Sequence, residues 1–378
     1  MSTRPARLAS VFALVAASTS FAADGLETKV EAVLQAPGYQ NAHWGLLVVE
    51  SGTGKVVYER NADRMFAPAS VTKLFSTAAA WVDLGPDYLF RTPVVRRGNV
   101  DNEGILHGDL VLVASGDLNL GGRAGPDNTL LFEDNDHIYA DGANKATLVP
   151  ADPLAGLDEL ARGVAAAGIK SIEGEVRVDD RLFEDAESTG SGPKRISPIV
   201  VNDNLVDVVV APGEKAGEPA KVRLVPTTAY VSADVQVETV AEGGRAVVSV
   251  RGVGPRSFTV LGRVPVGHKP VVRIFEVDEP ASYARALFIE ALRRCGVRVG
   301  ASPLGDNDLD ELPPREQVIA LPTVVTYTSP PFREEIKIVL KVSHNLHAST
   351  LPLLVAAHHG ETTEREGLRR QGRILKEL

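Results

Sequence analysis

From Leu205 to Val277 the chain is a succession of short β-branched runs with almost no helical period among them: Leu205–Ala211, Lys221–Val225, Val235–Val240, Ala246–Arg251 and Val271–Val277. Helical periodicity lies on both sides of this block, so no single repeating layer accommodates the sequence. The expectation is an α+β protein with a small β sandwich or barrel set inside it. At roughly 100–200 residues per domain, 378 residues allow two or three domains. With 44% hydrophobic and 24% charged residues the chain can bury real cores, which excludes a disordered or low-complexity protein.

Lys+Arg 40 against Asp+Glu 49 gives a net charge of −9, and no dense basic run stands out. The electrostatic footprint of a nucleic-acid binder is missing. A single cysteine, Cys295, excludes an internal disulfide framework and a cysteine-rich metal site. The N-terminus is more informative. Arg4 and Arg7 precede an apolar stretch, Leu8 to Ala17, that is too short to span a bilayer, and Ser20-Phe21-Ala22 offers small residues for cleavage. This reads as a secretory signal over residues 1–22. No later stretch reaches the roughly 18 apolar residues of a transmembrane helix, so the expected location is the periplasm or cell envelope.

After the signal, Gly45–Val49 and Lys55–Tyr58 form a hairpin across Ser51-Gly52-Thr53-Gly54. The Gly-Thr-Gly-Lys there fails the Walker pattern at both ends and is a turn. Val71, Leu74, Phe75, Ala78 and Val82 recur at helical spacing up to Gly85-Pro86, which predicts a helix with that apolar face buried. Asp109–Ala114, the face Leu154, Leu157, Leu160, Ala161, Val164, and Glu175–Asp179 read as a βαβ crossover. The Gly/Asp/Asn-rich stretch 121–141 reads as an exposed loop. Pro280 opens a helix that carries Ala284, Leu287, Phe288, Ala291 and Cys295 inward, so Cys295 is a core residue rather than a nucleophile. Helix returns over 332–378, interrupted at Ser343-His344-Asn345.

Ser70 and Lys73 sit at i and i+3 at the start of the first apolar helix, on neighbouring surface. Serine is a poor nucleophile at neutral pH and needs a base within hydrogen-bond reach. A lysine serves when burial lowers its pKa, and the helix N-terminus favours a developing alkoxide. A second S-x-x-K, Ser191 to Lys194, lies in a Gly/Pro loop where no helix fixes the two side chains, and is a chance match. Ser343 offers a hydroxyl able to relay a proton to a leaving group, and Asn345 an amide able to hold a substrate backbone.

Together the two motifs resemble those of the active-site serine penicillin-interacting enzymes, which carry S-x-x-K, S-D-N and K-T-G. Ala67–Leu74 with its hairpin, the segment Gly108 to Asp117, Val201-Asn202-Asp203-Asn204, and the gap of about 270 residues between the motifs are similar to the class C low-molecular-mass penicillin-binding proteins. The resemblance implies a serine-type D-alanyl-D-alanine carboxypeptidase/endopeptidase that acts on peptidoglycan peptides ending in D-Ala-D-Ala and is acylated by β-lactams. Ser70 would be the nucleophile, Lys73 its base, Ser343 a proton relay and Asn345 a substrate ligand, with no cofactor and no metal. The implied fold is a transpeptidase-like domain of helices on an antiparallel sheet (23–92 and 326–378). An α/β insert (93–204 and 278–325) interrupts it and carries a nested, mostly β domain (205–277).

No K-T-G follows Asn345, so the expectation is a chain truncated before that motif. The alternative function is a catalytically incompetent homologue acting as a wall-binding or scaffold protein. The long insertion argues against a class A-like β-lactamase. The histidines His344, His347, His358 and His359 lack an acidic residue at zincin spacing and read as solvated or satisfied. The acids Asp179, Asp180, Glu184, Asp185 and Glu187 read as a solvated loop.

Overall fold

The computed structural model describes residues 25–140, 145–187 and 192–378. The expected export signal, residues 1–22, and Ser191 of the loop S-x-x-K lie outside the described residues. The chain divides into two compact units, Met1–Ala69 and Ser70–Leu378.

In the first unit, helix α1 (residues 25–34) is followed by β1 (Leu46–Val49) and β2 (Val56–Arg60). The strands pair antiparallel as expected, Leu46 opposite Arg60 and Val48 opposite Tyr58. Glu31 on α1 accepts the Tyr58 hydroxyl at 3.0 Å and also pairs with Arg60, tying helix to hairpin.

The second unit opens with α2 (Thr72–Leu84), entered through a 3-10 turn, Ala69–Val71. β3 (Arg91–Val100), β4 (Ile105–Val113), α3 (Ala155–Ala166), β5 (Ser171–Ile172) and β6 (Val176–Asp179) follow. Both β5 and β6 pair parallel with β4, the crossover expected from the sequence. With β13 (Arg298–Val299) and β14 (Thr323–Thr328) they form a six-stranded sheet in the order β13-β5-β4-β3-β14, with β6 also on β4. Alternation along β4 separates its two faces. Leu110 and Leu112 join the core under α3 and α4 (Pro280–Arg294), whereas Val111 and Val113 pack with Leu312 and with Val318 of α5 (Arg315–Ile319).

The β-rich block makes two three-stranded sheets: β7 (Leu205–Ala211), β8 (Lys221–Val225) and β12 (Val271–Glu276), and β9 (Ser232–Val240), β10 (Val247–Gly254) and β11 (Ser257–Pro265). Their inner residues share one core, with Phe258 stacked on Phe275 at 4.7 Å. The sequence reading missed β11, whose alternation of Phe258, Val260 and Val264 is broken by Gly262 at φ +143°.

Helices α6 (Phe332–Lys341), α7 (Asn345–His358) and α8 (Glu364–Glu377) complete the unit, and Ala80, Phe332, Ile336, Leu351, Leu353 and Leu354 form a second core with α2. Three expectations need correction. The apolar stripe of α2 is not buried: Phe75 is 56% and Val82 53% exposed, and Val71 and Leu74 are exposed with them. The buried face is instead Lys73, Thr77, Ala79 and Ala80, and the small side chains of the last three allow close helix packing. Periodicity identifies the apolar stripe but not what covers it. Nor is the stretch 121–141 simply an exposed loop. Leu130 packs with Ile338 and Val342, and Arg123, Asp136 and His137 are buried because they pair with one another. Among the acids, Glu184, Asp185 and Glu187 are exposed, but Asp179 is fully buried with Arg181 and Arg315 as partners. Burial and the charge of Asp185 raise Asp180 to about 6.

Cys295 is half-buried against the main core beyond α4, as its spacing indicated. At Gly156, in the first turn of α3, a Cβ would stand 2.1 Å from the Leu120 carbonyl oxygen. Because that obstacle is backbone, Gly156→Ala is expected to destabilise the protein by roughly 1–3 kcal/mol, read as a lower urea midpoint at unchanged slope.

Candidate active site

The two sequence motifs meet at one point. Lys73, in the first turn of α2, donates from Nζ to Ser70 Oγ at 3.0 Å, to Ser343 Oγ at 3.3 Å and to Asn345 Oδ1 at 2.6 Å. An ammonium has three protons, and all three are used. Its acceptors are neutral groups, so no partner charge compensates for burial, and burial lowers the Lys73 pKa below the ordinary 10.5. Once deprotonated, the amine presents a lone pair toward the Ser70 hydroxyl.

Ser343 reaches Lys73 because the chain turns sharply between α6 and α7, with Ser343 at φ +59°. The Tyr139 hydroxyl holds that turn by donating to the Val342 carbonyl at 2.5 Å. Tyr139 belongs to the 121–141 stretch, so the supposed loop buttresses the site. A cleft of about 480 Å³ opens over the group, lined by Ser70, Tyr139, Arg195, Asn204, Ser343 and Asn345. Gly192 and Pro193, from the chance S-x-x-K, line it too. A larger hollow of about 820 Å³, beside Pro153, Arg223, Thr228 and Glu290, holds the Thr228 hydroxyl donating to Glu290 at 3.1 Å but neither sequence motif, so size alone does not mark the chemistry.

Beneath the S-x-N turn lies a buried polar cluster that the sequence reading did not assemble. Asn202, Asp203 and Asn204 occupy three successive left-handed conformations, at φ +50°, +53° and +56°. Asn and Asp tolerate that region better than other side-chain-bearing residues. Asn202 Nδ2 donates to the Leu205 carbonyl and to Asp207, while Asn204 Oδ1 accepts from the Val201 amide. The turn delivers the Asp203 carboxylate to four partners. Oδ2 accepts from Arg123 at 2.6 Å and meets His137 Nε2 at 2.7 Å; Oδ1 meets His347 Nε2 at 3.0 Å and His344 Nε2 at 3.2 Å. The His344 and His347 rings stack with centroids 3.7 Å apart. His344 Nδ1 accepts the His347 amide, capping α7, while its Nε2 lies 3.2 Å from Asp203 Oδ1 without hydrogen-bond geometry.

Burial opposes ionisation of Asp203, but Arg123, His344 and His137 outweigh it and hold the carboxyl well below its ordinary range. Burial likewise works against charge on His137, yet Asp207 and Asp203 raise it to about 10. Burial, with His344 beside it, lowers His347 to about 3, and burial, with the Asp117 charge, pushes Glu335 up to about 8. The four C-terminal histidines are therefore paired, as two local clusters. Their acids come from distant segments: Asp203 serves His344 and His347, and Asp83 serves the half-exposed His358 and His359. Only the Asn-Asp-Asn run signalled the first cluster in the sequence.

A serine hydroxyl, a lysine within hydrogen-bond reach and a second hydroxyl on that lysine, beneath an open cleft, are the parts that a serine acyl transfer requires. The chain belongs to the D-Ala-D-Ala carboxypeptidase 3 (S13) family, whose model matches residues 26–378. It thereby falls with the class C low-molecular-mass penicillin-binding proteins. It is 30% identical to a D-alanyl-D-alanine carboxypeptidase of Actinomadura sp. (strain R39), over 86% of this chain and 56% of that protein. The structure is similar to that of penicillin-binding protein 4 (dacB) from Haemophilus influenzae, with a TM-score of 0.63, 19% identity, and coverage of 88% of this chain and 67% of that one. A complex of the same protein with a β-lactam matches at 0.60 and 18%, over 89% and 66%. The chain thus spans little more than half the length of the curated relative it matches. Among the described residues, no helix is long and apolar enough to cross a membrane.

Two outcomes test the buried cluster. Asp203→Ala takes the acceptor from His347 Nε2 and one acceptor each from Arg123, which keeps Asp136, and His137, which keeps Asp207, and is expected to cost about 1–3 kcal/mol, measured by denaturant unfolding. His347 has a folded pKa depressed from 6.5 to about 3. Its contribution to stability is therefore present above pH 6.5 and lost as pH falls toward 3, because the unfolded chain binds the proton first. His347→Gln is expected to flatten the stability–pH curve in that window.

Proposed function

We propose that this chain is a serine-type D-alanyl-D-alanine carboxypeptidase/endopeptidase acting on peptidoglycan stem peptides through an acyl-enzyme on Ser70, and that β-lactams acylate the same serine. The observation that carries the reading is the partially desolvated Lys73 ammonium, within 3.0 Å of Ser70 and in contact with both polar residues of the S-x-N turn. In this reading neutral Lys73 takes the Ser70 proton as Oγ adds to the carbonyl carbon of the penultimate D-Ala. Backbone N–H groups, that of Ser70 included, stabilise the oxyanion at the start of α2. Collapse breaks the peptide bond, Ser343 passes the proton to the leaving amine, and water then hydrolyses the ester. Asn345 orients the substrate backbone, and Arg195 supplies the cleft with a cation for a substrate carboxylate. Residues 93–204 and 278–325, with 205–277 nested among them, serve as the insert, and residues 1–22 direct export to the cell envelope.

A second reading is a non-catalytic wall-binding or scaffold protein. Intact-mass spectrometry after incubation with benzylpenicillin separates the two. The enzymatic reading expects one adduct per chain with the mass of the whole antibiotic, because opening the β-lactam ring releases no fragment, and expects none on Ser70→Ala. Lys73→Ala should acylate about 10²–10⁴-fold more slowly. A folded wild-type chain that takes no adduct supports the scaffold reading instead.

A further inference from the structure

Helices α2 and α7 both begin at the candidate active site, α2 beside Ser70 and Lys73 and α7 at Asn345. At 1.5 Å per residue they run about 20 Å in the same direction away from it. Asp83, next to last in α2, there meets His358, the last residue of α7, and His359, which follows it. His358 Nδ1 lies 3.0 Å from Asp83 Oδ2, and His359 Nε2 lies 2.8 Å from Asp83 Oδ1. Consecutive residues within a helix point about 100° apart. Both rings face one carboxylate because the chain leaves helical geometry at His359, with φ −107° and ψ 12°.

We propose that Asp83, His358 and His359 form a binding site for a divalent first-row transition cation, zinc in particular, which clamps the distal ends of the two helices that carry the candidate catalytic groups. Imidazole nitrogen and carboxylate oxygen are the donors such ions prefer. Tetrahedral zinc, with bonds of about 2.0–2.2 Å, places its ligand atoms roughly 3.3–3.5 Å apart, so the present contacts need open by only a few tenths of an ångström. All three residues offer donor atoms within 4.8 Å of one another. The Asp83 side chain is 8% exposed while the two histidines are 40% and 37% exposed, so the carboxylate is anchored and one coordination position faces water. Arg370, whose guanidinium lies in the field of Asp83, is held by Glu361 at 2.8 Å. The two buried groupings around Asp203 also bring three donors together, but Arg123 sits 2.6 Å from the shared carboxylate, where its charge repels a dication.

This site is independent of the acyl-transfer chemistry, so its test does not depend on activity. Zinc chloride is titrated calorimetrically into the untagged, chelator-stripped chain at neutral pH. The expected result is one zinc per chain with a dissociation constant on the order of 1–10 μM. At a hundredfold excess of zinc over that constant, the thermal midpoint should rise by roughly 3–4 °C. Hydrogen exchange should slow at the C-terminal turns of α2 and α7. His358→Gln or His359→Gln should weaken binding by about tenfold or more, and the double variant should abolish it. If the double variant folds poorly, Asp83→Asn, which keeps both imidazoles and the side-chain size, carries the same test. Absence of saturable binding to the wild type overturns the proposal, and so does undiminished binding to a folded variant, which would put the ion elsewhere.

Discussion

Placing a lysine ammonium in a partly desolvated position beside neutral oxygen atoms is the constraint on which the site depends. A cation that leaves bulk water must recover its lost hydration from protein acceptors. Lys73 finds three, one from the 3-10 turn that leads into its helix and two from Ser343 and Asn345, some 270 residues away in sequence. The result is a group poised against its own charge and in contact with a hydroxyl. The same need makes α2 bury its polar edge and small residues while Val71, Leu74, Phe75 and Val82 remain exposed.

The turn that supplies two of those acceptors is itself held from below. Ser343 adopts a left-handed conformation, and α7 starts only two residues later. Asp203 fixes the stretch between by engaging His344 and His347, and Arg123 and His137 compensate its charge. Hydrogen bonds thus run from Lys73 of α2 to Ser343 and Asn345, and from Asp203 to Arg123 and His137 of the 121–141 stretch and to His347 of α7. Buried ionic clusters of this kind contribute little net stability but make removal of any one member costly, which suits a scaffold whose task is to hold positions.

The sequence disclosed the elements whose information is local. The β1–β2 hairpin, the crossover from β4 through α3 to β6, and the helix from Pro280 follow from patterns within a few residues of one another. The pairing of Ser70 with Lys73 is local too, being one helical turn. What stayed hidden depended on partners distant in the chain. Nothing near His344 or His358 announces Asp203 or Asp83, and Arg123 and Asp136 look like ordinary loop residues until they meet. The exposed stripe of α2 shows the converse limit, because amphipathicity is a property of the helix whereas burial is a property of its neighbours.

The central claim is that Lys73 acts as the base because burial lowers its pKa. The most direct measurement is the pH dependence of the rate at which β-lactam acylates Ser70, followed by stopped-flow on the intact chain. The account predicts a rate that climbs with pH and levels off with an apparent pKa below the ordinary lysine value of 10.5, a limb lost in Lys73→Ala. A rate still rising through 10.5, or the same limb in the variant, would contradict it.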